Sequence, residues 1–252
     1  MEGNSQCKLS VVIVYTNTEK LNEAISWLNK QSIACDVEQI LLDNRNNRFS
    51  SAASALNYGA QQAQGDIVVF MHQDVYLWDL NALEKYRDYL LANKDEIIGV
   101  AGVPAGMTTV TDIVESRDGL ERGNRANGKA YEVDALDECL FAMMRSRWEK
   151  LKFDEICCDN WHGYGMDICF SNTLACGRNI MVPLRICHES TGNPLTKSFR
   201  MTMKNLIKKY HGTAINRIHG CCIDLPCSWT SFYWYCFKEN VKAHLRNVGL
   251  NV

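Results

Sequence analysis

Between residues 9 and 103 the chain alternates short β-branched runs with segments of helical period, and this alternation constrains the fold more tightly than any other feature. LSVVIVY, residues 9–15, has the length and branching of a strand. Asn17 or Thr18 is placed to cap the next segment, in which Leu21, Ala24, Ile25 and Leu28 recur on one helical face. VEQILLD, 37–43, reads as a second strand, and strand, helix, strand at this spacing predict a βαβ unit with a parallel pair. Ala53, Leu56, Ala60 and Ala63 mark a further helix that Gly65 is placed to stop. DIVVFM, 66–71, is a third strand, Asp79 stands where it can cap a helix carrying Leu83, Tyr86 and Leu90, and IIGVAGV, 97–103, is another strand. The expectation is an α/β layered fold with a mainly parallel central sheet flanked by helices.

Beyond residue 103 the pattern changes. Residues 104–130 are polar, glycine-rich and without period, as a lid or binding loop would be. YEVDAL and CLFAMM, near 131–144, read as strands with Asp137 and Glu138 between them. After 197 the period turns helical, with Phe199, Met203, Leu206, Ile207 and Tyr210 on one face, and 225–237 is strongly aromatic. The domain reading is therefore 1–196 as the main domain, with 197–252 as a basic, aromatic C-terminal extension packed on it. From Lys197 onward nine Lys and Arg face two acids, so this part carries +7 and the rest −9. Such a tail fits either an anionic partner or a solvated helix face. Phe232, Tyr233, Trp234 and Tyr235 beside Lys238 and Lys242 fit either a peripheral membrane contact or a packed helix.

Other classes are excluded by what the sequence lacks. No apolar run reaches the length of a membrane span and the first residues carry no signal-peptide core, which points to the cytoplasm. The twelve cysteines include no C-x-x-C pair, so reduced, mostly buried thiols are expected rather than a zinc site or a disulfide framework. Neither G-x-G-x-x-G, nor G-x-x-x-x-G-K-[ST], nor G-x-S-x-G occurs, which argues against dinucleotide dehydrogenases, P-loop phosphotransferases and α/β-hydrolases. No nucleic-acid module is recognisable, and the acidic remainder disfavours a nucleic-acid partner.

In parallel sheets ligands bind beyond the carboxyl ends of the strands. Three such ends fall at Tyr15, Asp43 and His72 to Asp74. FMHQDVYL, 70–77, places an imidazole and a carboxylate at the end of an apolar run, where an unpartnered buried charge would be costly.

These residues, in this order, resemble a known family. SVVIVYTNTEKLNEAISWLNKQS, ILLDN and LNYGAQQAQGDIVVFMHQDV are similar to the first half of family 2 glycosyltransferases of the GT-A fold, and WHGYGMDICFSNTLACGRNIMVP followed by CHES to the second half. The resemblance runs over roughly residues 8–190. It looks nearest to the streptomycin-biosynthesis type of transferase domain, through HQD and a D-N-W-H-x-Y-x-x-D-I run. It implies transfer of a sugar, with inversion, from a nucleotide-diphosphate sugar to the hydroxyl of a glycan, a lipid-linked or a small-molecule acceptor. It also implies a donor site at Tyr15, Thr16, Asn17, Asp43, His72, Gln73 and Asp74. Asp74 fills the metal-ligand slot of the family's D-x-D motif, His72 replaces the first acid, and His188 matches a histidine that some members turn toward the metal or phosphate. Mn²⁺ or Mg²⁺ is the implied cofactor, and an imidazole ligand favours manganese.

The same resemblance places the base that accepts the acceptor's proton at Asp167, with Met166 where a glutamate is common. Asp137 and Glu138 compete for that role. Asp167 can equally cap a helix beginning at Ile168. Trp161 and His162 are candidates to line the acceptor pocket, or to serve as plain core residues. HQD in place of two acids leaves a second reading open, a nucleotide-sugar binding or scaffolding protein with impaired catalysis.

Overall fold

The structure, a computed structural model, describes residues 7–115, 123–189 and 197–247. The first elements follow the periodicity of the sequence: β1 (Leu9–Tyr15), α1 (Thr18–Leu28), β2 (Val37–Asp43), α2 (Ala52–Gln62) and β3 (Ile67–His72). Next come β4 (Val75–Tyr76), α3 (Ala82–Ala92), β5 (Ile97–Gly99) and β6 (Ala101–Val103). Short strands follow, β7 (Val110–Thr111), β8 (Ile113–Val114), β9 (Asn124–Arg125), β10 (Tyr131–Glu132) and β11 (Ala135–Leu136), and then the longer β12 (Leu140–Met144). The rest is α4 (Arg145–Leu151), α5 (Tyr164–Leu174), β13 (Asn179–Met181), β14 (Ile186–His188), α6 (Lys197–Tyr210), β15 (Arg217–Gly220), β16 (Ile223–Pro226) and α7 (Trp229–Asn247).

The central sheet has seven strands in the order β10-β13-β5-β12-β3-β1-β2. β1 runs parallel to β2 and β3, and β13 parallel to β5, as the βαβ reading requires. β12 runs antiparallel to both β3 and β5, and β10 antiparallel to β13, so the sheet is mixed. Strand alternation sends successive side chains to opposite faces. Val11, Ile13 and Val69 pack with Leu21, Ala24, Leu83 and Tyr86 of α1 and α3. Val12, Val68 and Phe70 pack on the other face with Leu56 of α2, Phe170 of α5 and Met203 and Leu206 of α6. Helix α6, which follows the boundary expected at 196, thus shares one core with α2 and α5.

Several local expectations are corrected. IIGVAGV is not one strand: the chain leaves the central sheet at Val100, and β6 joins a second, four-stranded sheet of order β11-β6-β7-β9. Gly102 permits that switch, since a Cβ there would lie 2.9 Å from Val133 and 3.0 Å from the carbonyl of Ala135. Gly65 does not stop α2, which ends at Gln62. It allows a close backbone approach instead, a Cβ at that position lying 2.7 Å from the carbonyl oxygen of Lys8. Asp79 is not the cap residue of α3; that position is Asn81, whose amide Asp79 Oδ1 accepts at 3.1 Å. The aperiodic 104–130 stretch contains β7, β8 and β9, and its residues 116–122 lie outside the described residues. The hairpin of β15 and β16 was not expected, because its polar and apolar residues are too few to show a period.

Candidate active site

The carboxyl ends of β1 and β3 and the start of β12 open onto one cavity of about 420 Å³. Its wall is apolar at Val14, Leu56 and Phe70 and polar at Thr16, Asn44 and Asn47. His72, Gln73, Asp74, Glu138, Trp161 and Tyr164 also line it. Antiparallel β12 is what delivers Glu138. Leu140 sits opposite Met71, and the amide of His72 donates to the carbonyl of Cys139 at 2.9 Å. The segment before β12 therefore lies beside the segment after β3.

The motif of His72, Gln73 and Asp74 divides into three tasks. Gln73 Oε1 accepts from the backbone amides of Thr16 (2.9 Å) and Asn17 (2.7 Å), and its Nε2 donates to Thr16 Oγ1 at 3.2 Å. It clamps the β1–α1 turn to the end of β3. His72 Nε2 pairs with the hydroxyl of Tyr164 at 2.8 Å, and its ring centroid is 5.6 Å from that of His188. Burial, with repulsion from His188, holds the His72 imidazolium down at about 4 despite attraction from Asp74 and Asp137, so this ring is neutral at neutral pH.

Asp74 Oδ1 faces His188 Nε2 at 3.5 Å, and Oδ2 accepts from Lys20 Nζ at 3.0 Å. Burial alone would raise this carboxyl, but the hydrogen bond and charge of His188, with His72 and Lys20, keep it well below the ordinary range. His188 is raised in turn: burial opposes its charge, and Asp74 and Asp137 outweigh burial. One ligand atom from each of His72, Asp74 and His188 lies within 4.8 Å of the others, a donor set of one carboxylate and two imidazoles that fits a divalent transition ion.

Glu138 stands under the N-terminus of α5. Its Oε1 accepts from the amide of Gly165 at 3.0 Å. Burial pushes the carboxyl up to about 8, the negative charge of Asp137 adds to this, and the amides of Gly165, Gly163 and Tyr164 pull it back. The turn that aims these amides needs Gly163, which has φ +80° and leaves no room for a Cβ, 2.3 Å from Thr202 Cγ2. Asp137 Oδ1 accepts the amide of Cys139 at 2.9 Å, and its carboxylate lies within 4.8 Å of a ring nitrogen of His188, beside the cavity rather than in its lining.

The structure places Asp167 outside the cavity lining. Helix α5 begins at Tyr164, not Ile168, so Asp167 falls inside the first turn with its side chain on the buried face, 1% exposed. Lys209 Nζ donates to its two oxygens at 2.8 and 3.0 Å, and the hydroxyl of Tyr210 donates at 2.8 Å. Both oxygens of Asp167 are thus engaged by α6. Among the expected donor contacts, Thr16 lines the cavity, while Tyr15, Asn17 and Asp43 do not. Asn17 Oδ1 caps α1, accepting from the amides of Glu19 and Lys20. Asp43 is clasped by Arg45, Oδ2 to Nη2 at 2.6 Å, and the same guanidinium lies over the ring of Tyr15 at 5.8 Å. Trp161 lines the cavity and is 40% exposed, whereas the ring of His162 packs edge-on against Phe199 at 5.9 Å.

Sequence reasoning missed Asn44, Asn47, Tyr164 and Lys20. Tyr164 sits inside the D-N-W-H-x-Y run, which was the available signal. Asn47 has φ +53°, a conformation Asn adopts more readily than most residues, and its amide donates to Asn44 O at 3.0 Å to shape the cavity rim. Nothing in the spacing marks Lys20.

The sequence model described as "Glycosyltransferase like family" matches residues 10–210. No curated protein matches the chain in sequence. Among solved structures, the fold is similar to GalNAc-T7 crystallised with UDP, GalNAc and Mn²⁺, at TM-score 0.53 and 15% identity, covering 82% of this chain and 50% of that one. It is similar to S. aureus TarS 1–349 in complex with UDP, at TM-score 0.53 and 15% identity, covering 82% of this chain and 66% of that one. The same fragment with UDP-GlcNAc aligns at TM-score 0.53 and 14% identity, covering 82% and 67%. The chain thus spans half the length of the GalNAc-T7 chain and about two thirds of TarS 1–349.

Proposed function

The chain belongs to the glycosyltransferase-like family, and from that premise we propose that it moves a sugar from a nucleotide-diphosphate donor to an acceptor hydroxyl, with inversion and with a divalent cation at the diphosphate. The observation that carries this reading is one cavity lined by His72 and Asp74, two members of a candidate cation donor set with His188 beside them, and by Glu138, whose carboxyl is pushed up to about 8. UDP in GalNAc-T7 and in TarS, and Mn²⁺ in GalNAc-T7, support a UDP-sugar and manganese as the first choices. His72, Asp74 and His188 would hold the ion; when bound, it neutralises charge building on the departing diphosphate. Thr16, Asn44 and Asn47 offer polar contacts to the nucleoside. Gln73, engaged by the β1–α1 turn, holds the wall in place.

Glu138 takes the role of base that the sequence divided among three acids. An alcohol becomes a competent nucleophile when a positioned carboxylate accepts its proton, and a carboxyl held near 8 is a stronger base than an ordinary glutamate. Tyr164, between His72 and the backbone of Glu138, fixes the spacing of the two halves of the site. The D-N-W-H-x-Y-x-x-D-I run supports the streptomycin-biosynthesis type as its branch. Nucleoside diphosphate release, assayed with UDP-, GDP- and dTDP-sugars in manganese, tests the proposal. It fails if none of them binds or turns over.

The second reading, a donor-binding protein with impaired catalysis, is favoured by one observation: Asp74, the sole acid of the motif, is already ion-paired to Lys20. Calorimetry would show tight donor binding without transfer.

The acceptor we infer is a carbohydrate or a lipid-linked one. Tyr233, Trp234 and Phe237 of α7 are each more than half exposed, with Lys238 over the Trp234 ring at 5.2 Å. Aromatic rings beside lysines suit the headgroup layer of a membrane. Among the described residues no helix is long and apolar enough to cross one. Flotation with anionic vesicles, lost in a Trp234→Ser, Phe237→Ser variant, is the expected result.

A further inference from the structure

Lys20 lies in the first turn of α1, outside the cavity lining. Its ammonium donates to Asp74 Oδ2 at 3.0 Å and to the carbonyl of Glu189 at 2.9 Å. The amide of Glu189 in turn donates to the carbonyl of Asp74 at 3.0 Å. Glu189 follows His188, so a single side chain ties together the two segments that carry Asp74 and His188 and fastens both to α1. The carboxylate is divided by this arrangement: Oδ2 belongs to Lys20, and Oδ1 alone turns toward the histidines. The pair is well shielded, with side chains 32% and 17% exposed.

We propose that Lys20 is a positioning residue that restricts Asp74 to coordination through one oxygen, and that it thereby selects a small octahedral cation over calcium. The inference rests on the cation site proposed above. Calcium accepts six to eight oxygens and readily takes both oxygens of one carboxylate, whereas magnesium and ions of similar size require a tighter octahedron. An aspartate with one oxygen engaged by an ammonium loses part of that hydrogen bond if it chelates, so coordination through Oδ1 alone is favoured. The positive charge of Lys20 also repels any divalent ion, but it repels two ions of equal charge alike. That contribution cancels in a ratio of affinities, while the geometric contribution remains. Groups that orient a ligating carboxylate typically matter by about 10- to 100-fold in metal affinity.

The experiment is therefore a ratio. Mn²⁺ affinity is measured by electron paramagnetic resonance and Ca²⁺ affinity by calorimetry, both with UDP present, for the wild type, Lys20→Met and Lys20→Arg. The Mn²⁺ to Ca²⁺ preference should fall by about tenfold or more in Lys20→Met and be largely kept in Lys20→Arg, which can still donate to Oδ2. A purely structural role would lower the melting temperature and weaken both ions in parallel, leaving the ratio unchanged. A wild type that binds Mn²⁺, with an unchanged or increased preference in Lys20→Met, overturns the role of Lys20 alone. A wild type that binds no Mn²⁺ overturns the cation site and this inference with it.

Discussion

The carboxylate of Asp167 is locked to the ammonium of Lys209 at 2.8 Å, between α5 and α6. On this pairing we propose that Asp167 acts as a strut between the two helices rather than as the base. Asp167→Asn should cost about 2–3 kcal/mol, toward the low end for a broken buried pair because Lys209 keeps Asp154 as a partner at 2.9 Å and is 29% exposed. Urea denaturation measures the loss. The folded fraction should keep its turnover number, and a selective loss of transfer at unchanged stability would return Asp167 to the site.

Glu138→Gln should bind donor normally and transfer at least a hundredfold more slowly, since general-base groups contribute about 10²–10⁴-fold. In the wild type the rate should rise with pH up to about 8, as the base loses its proton, and this limb should be absent from the variant. Initial rates across pH 6 to 9, at saturating donor, check it.

Stability should respond to the same group with the opposite sense. The folded state holds the Glu138 proton up to about 8, whereas an ordinary glutamate releases it near 4.5. Between those values the native protein binds more protons than the unfolded chain, so the contribution is complete below 4.5 and disappears as pH rises through 8. Denaturation midpoints should fall over that interval in the wild type, and fall less in Glu138→Gln. Equal slopes in the two proteins would contradict the burial of the charge.

Asp74→Ala should weaken Mn²⁺ binding in the presence of UDP by roughly a hundredfold or more, beyond what loss of a mere orienting group produces. The fold should survive, because the side chain sits at the end of β3 and contributes nothing to the apolar core. Equilibrium dialysis and circular dichroism report the two halves of this expectation.

Gly163→Ala should destabilise by about 2 kcal/mol, through a left-handed backbone that alanine resists and a Cβ pressed on Thr202. It should also shift the amides that hold Glu138, so transfer should drop more than donor affinity. Parallel loss of both would show that α5 had simply come loose.

The first half of the fold was legible because β1, β2 and β3 are runs of branched apolar residues, and α1 and α2 carry clean helical stripes. Val100 hides a change of sheet inside an unbroken apolar run, since periodicity says nothing about which strand a strand pairs with. Helix α5 begins at Tyr164 rather than at Ile168, behind a glycine whose left-handed backbone the sequence does not announce. At the candidate site, the motif and its resemblance point to His72, Asp74 and His188, which the structure brings within 4.8 Å of one another. Glu138 was one of three acids, and choosing it required knowing which carboxylate faced a hollow and which faced Lys209. Lys20 was invisible, because its partners are 54 and 169 residues away.

The reversal of β12 has a further consequence. Glu138 and Asp74 are held as neighbours by a backbone bond between His72 and Cys139, and not by the 63 residues that separate them along the chain. The intervening strands are bound into the same frame: β5 pairs with β12, and β4 and β8 pair with β14, which carries His188. A substitution in β8, remote in sequence from the motif, would therefore be transmitted to His188 through a single strand pairing.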